Sequence, residues 1–252
     1  DPIYRILEKE CGDVGILTFH CSDNYGAMLQ AYGLKQYCHK IGIGADIVRY
    51  EPPFLTGRHW WIPYIPAGDT GRILNTALGT WKANLSMGAD FFRLRARMRA
   101  FRKKYLTEKR QRRLYFVRQL RKLSYRYYIV GSDQIWNPDI TLGLRRAYFG
   151  AFVNPRKEKV IAYGASLGGS KLPPEYEEEF ETLLQSVDAV SLREAEAIPY
   201  VKRLCQKQDV SSVIDPVFLL QKEEWKKLEK KSGKKGFLFV YMTEYNQELM
   251  DF

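Results

Sequence analysis

Four short stretches of this sequence gather polar side chains in patterns that can do chemistry. In His20-Cys-Ser-Asp-Asn-Tyr-Gly26, Asn24 and Gly26 stand where a helix is about to start, and free N–H groups at a helix start favour an anion. The same residues equally suit helix capping and turn formation. In Gly131-Ser-Asp-Gln-Ile-Trp-Asn-Pro138, Ser132, Asp133, Gln134 and Trp136 follow a buried apolar run within a few residues. Asp133 can orient a sugar hydroxyl, act as an acid/base or cap a helix, and Trp136 can stack on a sugar face or fill the core. Ala162-Tyr-Gly-Ala-Ser-Leu-Gly168 surrounds Ser166 with small residues that let backbone approach a ligand closely. Ser191-Leu-Arg-Glu194 offers the planar fork of Arg193 to a carboxylate or phosphate, with Glu194 to hold it or to form an ordinary surface ion pair. No stretch has the GxGxxG spacing of a dinucleotide fingerprint.

The elements that must position these loops are legible in the apolar pattern. Val14 to Phe19 reads as a buried strand, Ala27 to Cys38 as a helix and Ala45 to Tyr50 as the next strand, which together make a βαβ unit with parallel strands. Four prolines between Glu51 and Asp69, at 52, 53, 63 and 66, argue for a loop or lid there. A helical insertion is expected from about Gly71 to Leu123. Strands then resume at Tyr127–Val130, Lys159–Tyr163, Ala189–Leu192 and Val210–Ile214, with helices at Glu175–Leu184 and Glu194–Cys205 and a last one near Glu223–Lys231. Alternating strands and helices predict an α/β fold with a Rossmann-like, doubly wound parallel sheet, in which ligands sit beyond the carboxyl ends of the strands. Residues 1–235 are expected to form this domain, and 236–252, with the apolar run Phe237–Met242, to begin a second one largely absent from the sequence.

Composition excludes several classes. With 252 residues, 45% hydrophobic and 27% charged, the chain has a globular profile, which excludes collagen and disorder. The lack of an apolar run of about 18 residues excludes an integral membrane helix, and no signal peptide is visible, so a cytoplasmic location is expected. Four cysteines and three histidines make no metal-ligand spacing, so free thiols and no metal are expected. The net charge of +11 is concentrated: Arg93 to Arg126 holds 15 Lys and Arg against the single acid Glu108, and the rest of the chain is slightly acidic. Within it Leu94, Met98, Phe101 and Tyr105 form a helical stripe with a basic surround. That segment is either a solvated helix face or a patch for peripheral contact with membrane headgroups or an anionic polymer. No nucleic-acid module is recognisable, so no nucleic-acid partner is expected.

Taken in order, NYGAMLQAYGL, YIVGSDQIWNP, VIAYGASLG, VSLRE and DPVFLLQKEEW resemble the polysaccharide pyruvyl transferase family, from about Val14 to Trp225. The resemblance implies a two-domain architecture similar to GT-B glycosyltransferases. It implies transfer of the pyruvyl unit of phosphoenolpyruvate to two hydroxyls of a saccharide acceptor as a ketal, with no cofactor. It casts Arg193 as the clamp for the donor's carboxylate and phosphate, Asn24 and the helix start at Ala27 as a second anion contact, and Ser132, Asp133 and Gln134 as facing the acceptor. Active members also resemble one another in using a histidine and further arginines from a second domain. This sequence has no histidine after His59, so the general acid is expected in that second part and the chain alone to be inactive or nearly so. Two other functions fit the same fold: a glycosyltransferase using a nucleotide sugar, and a non-catalytic module docking through its basic helices.

Overall fold

In the computed structural model, residues 14–56, 92–107, 111–205, 209–230 and 236 are described. The chain divides into two compact units, residues 1–220 and 221–252. In the second, Lys222–Lys226 is helical, and the strand expected at Phe237–Met242 lies outside the described residues.

The first unit is built on six parallel strands: β1 Val14–Leu17, β2 Ala45–Ile47, β3 Tyr127–Asp133, β4 Lys159–Ala165, β5 Ala189–Leu192 and β6 Val210–Ser212. Their order across the sheet is β2-β1-β3-β4-β5-β6. The predicted doubly wound parallel sheet is therefore present, with the order reversing between β1 and β3. The central strands are buried almost throughout and the edges less so, as expected of a sheet covered on both faces. β3 and β4 run longer at their carboxyl ends than the apolar runs suggested, because Gly131-Ser-Asp133 and Gly164-Ala165 continue the ladder, with Asp133 opposite Ala165, whereas β5 has the expected bounds and β6 stops at Ser212.

Helix α1, Tyr25–Lys40, connects β1 to β2 and buries Met28, Ala31, Leu34 and Cys38 at helical spacing. His39 and Lys40 in its last turn complement its dipole, and Gly42, at φ +82°, turns the chain out of it. Gly33 lets α1 touch the backbone of the turn after β6: a Cβ there would lie 2.5 Å from Pro216 O. That contact ties β6 to the start of the fold.

Two expectations between β2 and β3 are modified. Pro53–Thr56 is a single helical turn, because proline suits the first helical position, where its missing N–H is not needed. Residues 57–91, which include the rest of the proline-rich stretch and the start of the predicted insertion, lie outside the described residues. Residues 92–101 are helical as the apolar stripe suggested, and Arg102–Leu106 continues as a π turn. Met98 and Leu106 are buried, and Phe101 and Tyr105 pack edge-on against Tyr32 of α1. Among the described residues from 111 to 123 the helical prediction holds only at Val117–Leu120. Leu114 instead forms a parallel bridge to Tyr50.

On the other flank, Glu177–Leu184 (α2) and Ile198–Leu204 (α3) are helical, each entered through a 3-10 turn. Among the described residues no helix is long and apolar enough to cross a membrane, and no group of His, Cys, Asp and Glu could hold a metal ion. Cys21, Cys38 and Cys205 are free and buried.

Candidate functional site

The carboxyl end of β1 turns at Thr18 into the helix start. Asn24 is the N-cap of α1: its Oδ1 accepts from Ala27 N at 3.0 Å. One turn on, Gln30 falls on the apolar face of the helix and is 2% exposed. Its Nε2 donates to Thr18 Oγ1 at 2.6 Å and to Ala27 O at 2.9 Å. Because Ala27 O can only accept, these bonds fix which end of the amide is nitrogen. The remaining atom, Oε1, is buried and has no hydrogen-bond partner among the described residues. His20 lies below, fully buried, and burial pushes its imidazole down to about 4, so it is neutral.

β3 ends in an unusual backbone. Gly131 has φ +112°, and a Cβ there would run into Tyr163 O, so β3 and β4 approach as only glycine permits. Asp133 follows with φ +87°, a conformation that costs a non-glycine residue energy. Its Oδ1 accepts from Gln134 N at 2.8 Å. Burial raises the Asp133 carboxyl above the usual range, and the nearby charge of Asp215 adds to this. The Gln134 N–H and Arg193 oppose the rise.

Arg193 leaves the end of β5 between two carboxylates: Nε meets Glu194 Oε1 at 3.3 Å and Nη1 meets Asp215 Oδ2 at 3.3 Å. Both contacts are longer than the 2.7–2.9 Å typical of charge-assisted bonds, so the guanidinium is oriented without being saturated. Glu194 is itself braced, since Ser166 Oγ donates to its Oε1 at 2.7 Å, and Ser166 Oγ accepts from Gly168 N at 3.1 Å. Asp215 caps the 3-10 turn Pro216–Phe218 by accepting from Val217 N at 3.0 Å.

Asn24, Gly26, Ala27, Gln30, Asp133, Arg193, Asp215, Val217 and Phe218 line one open cavity of about 450 Å³. It lies at the carboxyl ends of β1, β3, β5 and β6, at the point where the strand order reverses, which is where doubly wound sheets bind ligands. A guanidinium, a helix start, a raised carboxyl and an orphan amide oxygen thus share one space.

The sequence-derived residues divide on this geometry. Asn24, Gly26, Asp133 and Arg193 meet in the cavity. Ser166 and Glu194 brace Arg193 from behind. Ser132 is fully buried, with Oγ donating to Gly164 O at 2.9 Å, so it joins β3 to β4 and does not face an acceptor. Gln134 accepts from Asn137 Nδ2 at 2.7 Å and lies outside the cavity lining. The expectation that Trp136 stacks on a sugar is corrected. It is fully buried, stacked on Phe149 at 5.2 Å, and donates Nε1–H to Tyr148 O at 3.0 Å, because the turn after Asp133 drives it into the core. Sequence reasoning missed Gln30 and Asp215. A polar residue at an apolar position of the α1 stripe was the available signal for Gln30. Asp215 opens DPVFLLQKEEW, a motif read for the family resemblance but given no role in the site.

A second, larger cavity of about 530 Å³ runs between Asn137, Lys171, Tyr200 and Arg203. Arg203 is paired with Glu177 at 2.9 Å, and the faces of the Tyr200 ring meet Phe180 and Arg203. It contains none of the clustered charged groups around Arg193, so the smaller cavity is the better candidate for chemistry.

Compared with known families, residues 24–251 match the family described as polysaccharide pyruvyl transferase. No curated protein and no solved structure matches the chain.

Proposed function

This chain belongs to the polysaccharide pyruvyl transferase family, and we propose from that premise that the cavity between β1 and β3 holds phosphoenolpyruvate against a saccharide acceptor. The donor's carboxylate and phosphate need cationic or N–H partners, and Arg193 with the start of α1 supplies both kinds. The acceptor's hydroxyls need an oxygen to donate to, and Gln30 Oε1 is a buried oxygen with no donor among the described residues. That pairing within one cavity is the observation that carries the reading.

In the reaction, protonation of the donor's methylene carbon leaves a cation-like centre at the carbon bearing the phosphate oxygen. A sugar hydroxyl attacks that carbon and gives up its proton. The second hydroxyl then displaces the phosphate, which departs as inorganic phosphate carrying that hydroxyl's proton, and the ketal closes. Asp133 suits the role of accepting the hydroxyl proton, since burial has raised its carboxyl toward the working range of a general base. Arg193, held by Glu194 and Asp215, keeps the phosphate and carboxylate in place as charge shifts toward the leaving group.

The test is phosphate release from phosphoenolpyruvate in the presence of candidate saccharides, with the ketal methyl group followed by NMR, on protein that includes the second part expected to supply the general acid. Release that depends on a saccharide and is lost in Asp133→Asn, with donor binding kept, supports the reading. Consumption of a nucleotide sugar in place of phosphoenolpyruvate would overturn it.

A further inference from the structure

The basic segment from Arg93 to Arg126 takes no part in the cavity, and its residues divide into two sets. Arg95 and Arg102 are structural: both pair with Asp23, at 3.4 and 2.6 Å, and Arg102 also donates to Cys21 O at 3.3 Å. The residues from 111 to 126 are different. This stretch holds six Lys and Arg and no acid. It is anchored by Leu114 and Leu120, both buried, with Val117 and Leu123 packed against the core.

Between those anchors the chain turns two aromatic rings outward, Tyr115 at 39% and Phe116 at 53% exposure. The turn that presents them is fixed. Gln119 Oε1 accepts from Tyr115 N at 2.6 Å and from Phe116 N at 3.0 Å, which holds both backbone amides. Arg118 lies over the Phe116 ring at 5.6 Å. Arg112, Arg118, Arg121 and Lys122 flank the rings in sequence, all exposed and with no carboxylate among the described residues at ion-pair distance.

A solvated helix face needs no outward pair of rings, and a polyanion site needs charge alone. Preorganised exposed rings within a stretch of exposed basic side chains match a lipid headgroup region, where aromatic side chains settle at the boundary and Lys and Arg meet phosphates. We propose that the Tyr115–Phe116 tip and its basic surround dock this protein on an anionic lipid surface. Leu114 is bridged to Tyr50, just beyond the carboxyl end of β2. The tip therefore leaves the fold on the carboxyl-end side of the parallel sheet, the side on which the cavity lies, and docking would bring that side toward the membrane.

The experiment is cosedimentation of the full chain with vesicles of phosphatidylcholine alone and of phosphatidylcholine with phosphatidylglycerol. The wild type should pellet with the anionic vesicles only. Tyr115→Ser/Phe116→Ser should weaken that binding about tenfold, with an unchanged melting temperature because both rings are exposed. Arg121→Glu/Lys122→Glu should weaken it by at least about fivefold for each charge. Vesicle binding by the aromatic variant equal to wild type would overturn the proposal. Equal binding of soluble dextran sulfate by wild type and aromatic variant, with no vesicle binding, would also overturn it and assign the patch to an anionic polymer.

Discussion

Replacing Gln30 with Leu separates what a buried amide does for the fold from what it does for a ligand. The substitution removes the Nε2 donations to Thr18 Oγ1 and Ala27 O, at 2.6 and 2.9 Å, worth about 1 kcal/mol each. It also removes Oε1, a buried acceptor without a partner among the described residues, whose desolvation costs about 1–3 kcal/mol. Thr18 Oγ1 keeps its own donation to Ser132 O at 3.0 Å, and leucine fills a similar volume. The contributions nearly cancel, so the stability change stays within about 2 kcal/mol, or a Tm shift within about 8 °C for a chain of this size. The loss falls on the acceptor. A hydroxyl with no oxygen to receive it loses about 1–3 kcal/mol of binding, a rise in acceptor KM of roughly 5- to 150-fold. Phosphoenolpyruvate brings no hydroxyl to Oε1, so its affinity should not change. Thermal unfolding, calorimetric titration of the donor and initial rates against acceptor read the three quantities separately. A Tm loss well beyond that range would show that Oε1 is satisfied within the fold, and an unchanged acceptor KM would remove Gln30 from the site.

Trp136→Ala should cost about 3–5 kcal/mol from the emptied core alone, with more from leaving Tyr148 O without its indole donor at 3.0 Å. Denaturant unfolding reads this, and a small loss of stability with a large loss of acceptor binding would restore Trp136 to the site. His20 gives a pH signature. Its imidazole is pushed down to about 4 from the ordinary 6.5, so between those values the unfolded chain binds a proton that the folded chain excludes. Stability therefore rises from pH 4 to 6.5, by on the order of 3 kcal/mol from this group. Unfolding of His20→Gln across that window should show a shallower slope, and parallel curves would contradict the burial.

The sheet was legible because its strands are continuous apolar runs bounded by glycine and charge, and α1 because Met28, Leu34 and Cys38 recur on one face. The loops were legible as places where chemistry gathers, since a doubly wound sheet puts strand ends together wherever the apolar runs stop. What each loop residue does was not, because it depends on where the chain turns. Trp136 follows Asp133 by three residues, and only the φ of +87° at Asp133 sends the indole inward rather than to the surface. Ser132 was chosen for its neighbours, but the extension of β3 through Asp133 places its hydroxyl between strands. Asp215 enters the site through a long-range contact, the approach of α1 to Pro216 that Gly33 allows, and a contact across nearly the whole unit leaves no local pattern.

The most direct test of the central claim is calorimetric titration of phosphoenolpyruvate into the wild type and Arg193→Ala. Loss of the one guanidinium that the described residues place in the cavity lining removes a charge-assisted anion contact worth about 2–3 kcal/mol, so the dissociation constant should rise by roughly 30- to 150-fold while Tm holds. Equal affinity in the two proteins would place the donor elsewhere and contradict the account.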